Sequence, residues 1–433
     1  MVSIKSNKIR WAISGGLALL ILFGTFRSVF SLAAFLVCVL MLVFCDRESN
    51  VLQIFFIMPM ANIFKLSPGV QSFFTIIILV YVILHLVLPR QATFIVVLFS
   101  IYIIVGQIVH GELYLLRAVK FVFNLLFLSS VLNKETKICD KELFLSYIIG
   151  NIVASVFGLL DSTYFKIESY IGLKELGGLG QEDVIYRFAG LYTDPNYYNV
   201  GIIISLCLIM VLFLKNELNM LHTAVFSLPL MCFLILTYSK SAFIMLLLPI
   251  FMFFYSLYHK KKYTAIVISV FIGATIVALV LSGQIDAFDV VLERISSSET
   301  TEGVDINSLT TGRFDLWVSY TKYIINNFRV GLFGSGIGAE LVNSRASHNT
   351  YIDLFYYLGA FGTLLLLSIL SVISKQSRTV VMNRNIINYS VFSCIVIMYF
   401  FLSELFYFDP PFHIYLAITV LNMPLKEQEK PRC

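Results

Sequence analysis

The chain has 433 residues, of which 58% are hydrophobic, 15% aromatic and only 13% charged, with a formal net charge of +5. A water-soluble globular chain carries nearly twice that charged fraction, and a mean hydropathy of +0.86 excludes a soluble fold. The cations are dispersed through loops rather than gathered into a patch, so no nucleic-acid partner is expected.

Apolar runs of about 16 to 22 residues recur from end to end, each roughly matching a 30 Å hydrocarbon core. Candidate spans fall at 11–26, 28–45, 51–65, 70–88, 92–110, 113–132, 143–160, 196–214, 220–238, 241–258, 263–282, 350–373, 387–408 and 411–424. The expected architecture is an all-α polytopic membrane protein with about 12–14 transmembrane helices, forming a single integral membrane domain over 1–433. Lys5, Lys8 and Arg10 precede the first run without a small-residue cleavage site, so the first helix is expected to be retained. The seven cysteines show no CxxC spacing and read as small apolar side chains.

With both termini cytoplasmic, alternation puts Arg47, Arg90, Lys134, Lys137, Lys141, Lys215 and the run Lys260–Lys262 inside. Only Arg27, Lys65 and Lys240 fall in short outer loops, the bias expected of cytoplasmic loops. The same threading places two long loops outside, 161–194 and 283–349, and long loops in a compact bundle are usually functional. The second loop contains "TGRFDLWVSYTKYIINNF", where Phe314, Trp317, Thr321, Ile324 and Phe328 recur at helical spacing. One apolar face of that helix can therefore lie against the membrane or the bundle. Gly312 with Asp315 predicts its start.

Several polar residues interrupt this pattern. In "YRFAGLYTDPNYYNVG", Asp194 and Pro195 are standard helix-start chemistry before Asn196. Arg187, among Phe and Tyr, suits either bidentate phosphate binding or a cation–π contact. Lys240, in the turn "LTYSKSAF", is either a snorkelling lysine or a cation beside a docking lipid head group. Arg117 and Lys120 sit inside a predicted span, where charges mark a functional interior unless the segment lies along the interface.

"GLFGSGIGAE" lacks the strand and the Lys-Ser/Thr of a nucleotide loop, so Gly331, Gly334, Gly336 and Gly338 read as turn glycines. In "NSRASHNTYID", Thr350 and Asp353 have capping-box spacing, which predicts a helix start near Asn349–Thr350. His348 then lies at the positive end of a helix dipole, which favours a neutral ring able to accept a proton. The competing reading is an amphipathic anchor at the membrane boundary. Asp286 and Asp289 lack the partners of a cation site, so no metal is expected.

In this order, "RFAGLYTDPN", "LTYSKSAF", "TGRFDLWVSY", "GLFGSGIGAE" and "SHNTYIDLFYYLGAFGTLLLL" resemble the motifs of the O-antigen polymerase and O-antigen ligase superfamily. The resemblance covers roughly residues 185–365; Lys240 stands where arginine is usual. It implies a GT-C-type membrane glycosyltransferase without a metal or other cofactor, acting on undecaprenyl-pyrophosphate-linked oligosaccharides in the bacterial inner membrane. A chain-length regulator and a flippase are the implied protein partners.

On that footing His348 would serve as base or acceptor-orienting group, and Arg187 and Arg313 as pyrophosphate clamps. Lys240, Asn349, Asp194, Asn196, Arg117 and Tyr351 would contact substrate. Direct displacement would invert the anomeric carbon. The leading expectation is a repeat-unit polymerase for O-antigen, capsule or exopolysaccharide; the alternative is a ligase delivering glycan to lipid A core or protein. A transporter or lipid-linked oligosaccharide flippase would show pseudo-symmetric halves and short loops, whereas this sequence has long loops on one face.

Overall fold

The computed structural model describes residues 7–67, 70, 72–86, 90–110, 115–131, 140–160, 174–175, 186–192, 194–264, 266–267, 299–300, 303–304, 313–337, 339–377, 396–397 and 399. The described chain is helical apart from two antiparallel pairs of two-residue strands. One pairs β1 (Lys174–Glu175) with β2 (Tyr186–Arg187), the other β3 (Glu299–Thr300) with β4 (Gly303–Val304).

The helices follow the apolar runs. They are α1 (Asn7–Gly24), α2 (Ser28–Phe44), α3 (Arg47–Ile57), α4 (Phe73–His85), α5 (Arg90–His110), α6 (Leu115–Val131) and α7 (Asp140–Leu160). Then come α8 (Pro195–Leu214), α9 (Met220–Ile235), α10 (Lys240–His259), α11 (Arg313–Asn326), α12 (Phe328–Phe333) and α13 (Thr350–Ser377). Among the described residues α7, α8 and α13 are long and apolar enough to cross a membrane. Most of the expected spans at 387–408 and 263–282, the whole of 411–424, and Gly312 lie outside the described residues.

The span expected at 51–65 takes a different form. Asp46 caps α3 by accepting from the Ser49 amide at 3.0 Å, so the helix begins before the apolar run. It ends after 11 residues in a 3₁₀ turn, Met58–Met60. Eleven residues rise about 16 Å, half a hydrocarbon core. At that length α3 is shorter than a hydrocarbon core is thick, and residues 49–57 are all buried. Its polar side chains find partners inside: Ser14 Oγ donates to Gln53 Oε1 at 2.7 Å and Asn50 Nδ2 to the Leu42 carbonyl at 3.2 Å. Arg10 pairs with Glu142 close by.

α8 is the axis of the bundle. Of its best apolar window 94% is buried, and it packs against α7, α9 and α10. A helix apolar all round belongs in a core. Peripheral helices instead expose apolar side chains, such as Phe94 and Ile108 on α5 and Val29 on α2, as a lipid-facing surface does.

α13 is not straight. Gly359 has φ 64° and ψ −176°, a region essentially restricted to glycine, and the break frees carbonyls that lipid could not satisfy. The 334–336 loop supplies the missing donors. Ser335 N and Oγ each reach the Tyr356 carbonyl at 2.8 Å, and Gly336 N reaches that of Tyr357 at 3.1 Å. From α5, the Tyr102 hydroxyl lies 2.6 Å from the Leu358 carbonyl and 2.7 Å from that of Phe333, its single proton serving one at a time. Gly334 (φ 78°) and Gly359 meet backbone to backbone: a Cβ on Gly359 would lie 2.4 Å from Gly334 N. Gly334 and Gly336 are turn glycines as expected, whereas Gly331 lies inside α12 and Gly338 falls outside the described residues.

Candidate active site

The start of α8 draws two distant motifs together. Asp194 accepts from the Asn196 amide at 2.8 Å, with Pro195 in the first helical turn. The Asn196 side-chain oxygen then accepts from Ser239 Oγ at 3.0 Å and Arg187 Nη2 at 3.4 Å. Ser239 is in turn the N-cap of α10, and Lys240 is the first residue of that helix. The "DPN" and "TYSK" segments, far apart in sequence, thus form one polar layer.

Arg187 is fixed by the end of α9. Helix C-termini leave carbonyls without intrahelical donors, and the strand segment serves the C-cap carbonyl of α9 and the one after it. Phe188 N donates to the Leu236 carbonyl at 3.0 Å, and Arg187 Nε donates to the Thr237 carbonyl at 2.9 Å. Arg187 is 9% exposed. Its Nε and Nη2 both face protein acceptors, so a phosphate gripped through that edge must displace Thr237 or Asn196. Beside it, the Phe188 ring packs edge-on against Tyr198 at 5.3 Å.

Arg313, the first residue of α11, comes to the same place. Burial lowers its pKa from the usual arginine value, and the Asp194 carboxylate and Tyr197 oppose that shift from close by. Asp194 therefore both caps α8 and faces a cation. Desolvation also pushes the hydroxyl pKa of neighbouring Tyr192 up to about 12.

One turn along α11, Trp317 Nε1 donates to the Ser347 carbonyl at 3.0 Å, and Tyr320 OH donates to that of Arg345 at 2.8 Å. These bonds hold the segment leading into His348. Ser347 is fully buried; its hydroxyl lies 2.6 Å from Asp353 Oδ1 and accepts from the Asn349 amide at 3.0 Å. The α13 cap is Asn349, whose side-chain oxygen accepts from the Tyr351 and Ile352 amides at 3.0 and 3.2 Å. The predicted helix start is correct, but the Thr350–Asp353 capping box is replaced. A helix beginning at Thr350 puts Asp353 one position beyond the box, where it reaches back to Ser347.

His348 itself is half-buried between these two anchored residues, with φ 52°. A left-handed histidine costs backbone energy and persists where its surroundings over-determine it.

The structure gathers Arg187, Asp194, Asn196 and Arg313 into one layer, and α11 links that layer to the His348 segment. Tyr351 turns elsewhere, its hydroxyl donating to the Val396 carbonyl at 2.9 Å. Arg117 lies on α6, but its side chain, like that of Lys240, is outside the described residues. Sequence reasoning missed Trp317, Ser239 and Ser347 as organising residues. All three stood inside the motifs above, but only Trp317 was read there, as part of a helical apolar face.

This is a helical membrane protein carrying a cationic and imidazole-bearing polar site at helix ends. Residues 223–367 match the family model described as O-Antigen ligase, which supports the resemblance to the O-antigen polymerase and ligase superfamily. No curated protein and no solved structure matches the chain.

Proposed function

We propose that the protein polymerises lipid-linked oligosaccharide repeat units on the outer face of the cell membrane. The growing glycan leaves undecaprenyl pyrophosphate and passes to a hydroxyl of the next lipid-linked unit. The observation that carries this reading is the convergence at one site of Arg187, Arg313 and the N-terminus of α8, with α11 bridging to His348.

The reaction needs charge stabilisation for a departing pyrophosphate and a base for the attacking hydroxyl. The guanidinium of Arg313, together with Arg187 and Lys240, opposes the developing negative charge, and the α8 dipole adds to it. Binding of pyrophosphate would compete with Asp194 for Arg313 and with Asn196 for Arg187. His348 takes the hydroxyl proton as the new glycosidic bond forms and the bond to pyrophosphate breaks, inverting the anomeric carbon. In this reading the site is of the GT-C kind, both termini are cytoplasmic and a separate regulator sets chain length.

The family description favours a second reading, a ligase passing finished glycan to lipid A core or protein. A deletion strain separates the two. Loss of a polymerase leaves single repeat units attached to lipid A core; loss of a ligase leaves none attached, and that outcome would replace the proposal.

A further inference from the structure

The helix α11 has two apolar faces. Trp317 and Tyr320 turn toward the Ser347 loop and α13, and Ile324 packs partly buried against the core. Ile325, by contrast, is 72% exposed, and Phe328, at the start of α12, is 77% exposed. Of the stripe expected from sequence, Trp317 and Ile324 are packed and Phe328 is uncovered, and Ile325, outside that stripe, is uncovered beside it.

Further exposed apolar side chains adjoin this pair. Phe333, at the end of α12, stacks on Phe361 of α13 with ring centroids 5.4 Å apart. Beyond Phe361, Leu364 and Leu367 are also exposed, on a helix able to cross a bilayer. Lys322 and Arg329 flank Ile325 and Phe328 and are themselves exposed, the arrangement by which an interfacial helix meets lipid phosphates while its apolar side chains enter the acyl boundary.

We propose that Ile325, Phe328 and Phe333 form a bilayer-facing patch by which α11 and α12 lie in the head-group boundary beside α13. The bilayer then fixes the height of Arg313 and Trp317, and with them the loop that presents His348. This surface stands whether or not the polymerase reading holds.

The test is photo-crosslinking of the full chain in phospholipid nanodiscs, with p-benzoylphenylalanine replacing Ile325, Phe328 or, on the polar face, Asn326. Replacement of Phe361 serves as the lipid-facing reference. Phospholipid adducts at positions 325 and 328 comparable to those at 361, and several-fold fewer at 326, are the expected result. Protein crosslinks at 325 and 328, whether to another part of the chain or to a second copy, would overturn the proposal. So would equal lipid labelling at 326. Because these side chains are exposed, the replacements leave the packed face of α11 intact.

Discussion

His348 combines an imidazole with a left-handed backbone, and the two can be separated. Asparagine tolerates this conformation better than most residues, so His348→Asn keeps the local fold while removing the ring's basicity. The expected result is a stability change under about 1 kcal/mol, as for substitutions away from the core. Transfer should fall by about 10²–10⁴-fold, the usual share of a general base. Thermal unfolding and a transfer assay on the same purified variant check both halves; full activity would remove the base from the account. Much at this scale was legible in the sequence. The helix start at Thr350, the Asp194 cap and the role of Pro195 follow from local rules, and each is found in place. The contacts Arg187–Thr237 and Trp317–Ser347 were not legible. They depend on where distant helix ends meet, which no local pattern encodes.

At the scale of elements, the broken helix α13 and the loop around Gly334 are one unit. A Cβ at position 359 would meet Leu332 and Gly334 backbone within 2.5 Å, and non-glycine residues in such a region cost about 1–3 kcal/mol from strain alone. Gly359→Ala should therefore lower the unfolding midpoint markedly, as followed by thermal unfolding in detergent. Gly362→Ala is a poor comparison, since its Cβ would contact the ring of Tyr102 at 2.5 Å. Gly15→Ala, with nothing within 4 Å, is the proper control and should be neutral. The sequence marked Gly334 and Gly336 as turns but hid their partner. Gly359 reads as an ordinary glycine in an apolar run, and only the approach of α12 explains it. The shortness of α3 was obscured for a related reason: hydropathy reports an apolar run, not how much of it is helix or whether protein or lipid covers it.

For the whole molecule, the polar site sits where α8, α10, α11 and α13 begin, so the account requires all four starts on one side of the membrane. The positive-inside pattern assigns that side to the exterior and the 215–219 turn between α8 and α9 to the cytoplasm. Single cysteines placed at Asn219 and Ser344 in a cysteine-free chain test this. A membrane-impermeant maleimide applied to intact spheroplasts should label position 344 and spare 219; the reverse pattern would invert the threading.

The central claim is tested most directly by incubating the purified protein in detergent with defined undecaprenyl-pyrophosphate-linked repeat units and resolving the products by mass. The account predicts a ladder of lipid-linked glycans growing by whole repeats, each new linkage inverted relative to the donor, and no ladder from His348→Asn. Unchanged substrate in the presence of correctly folded wild-type protein, or glycan transferred only when lipid A core is added, would contradict it.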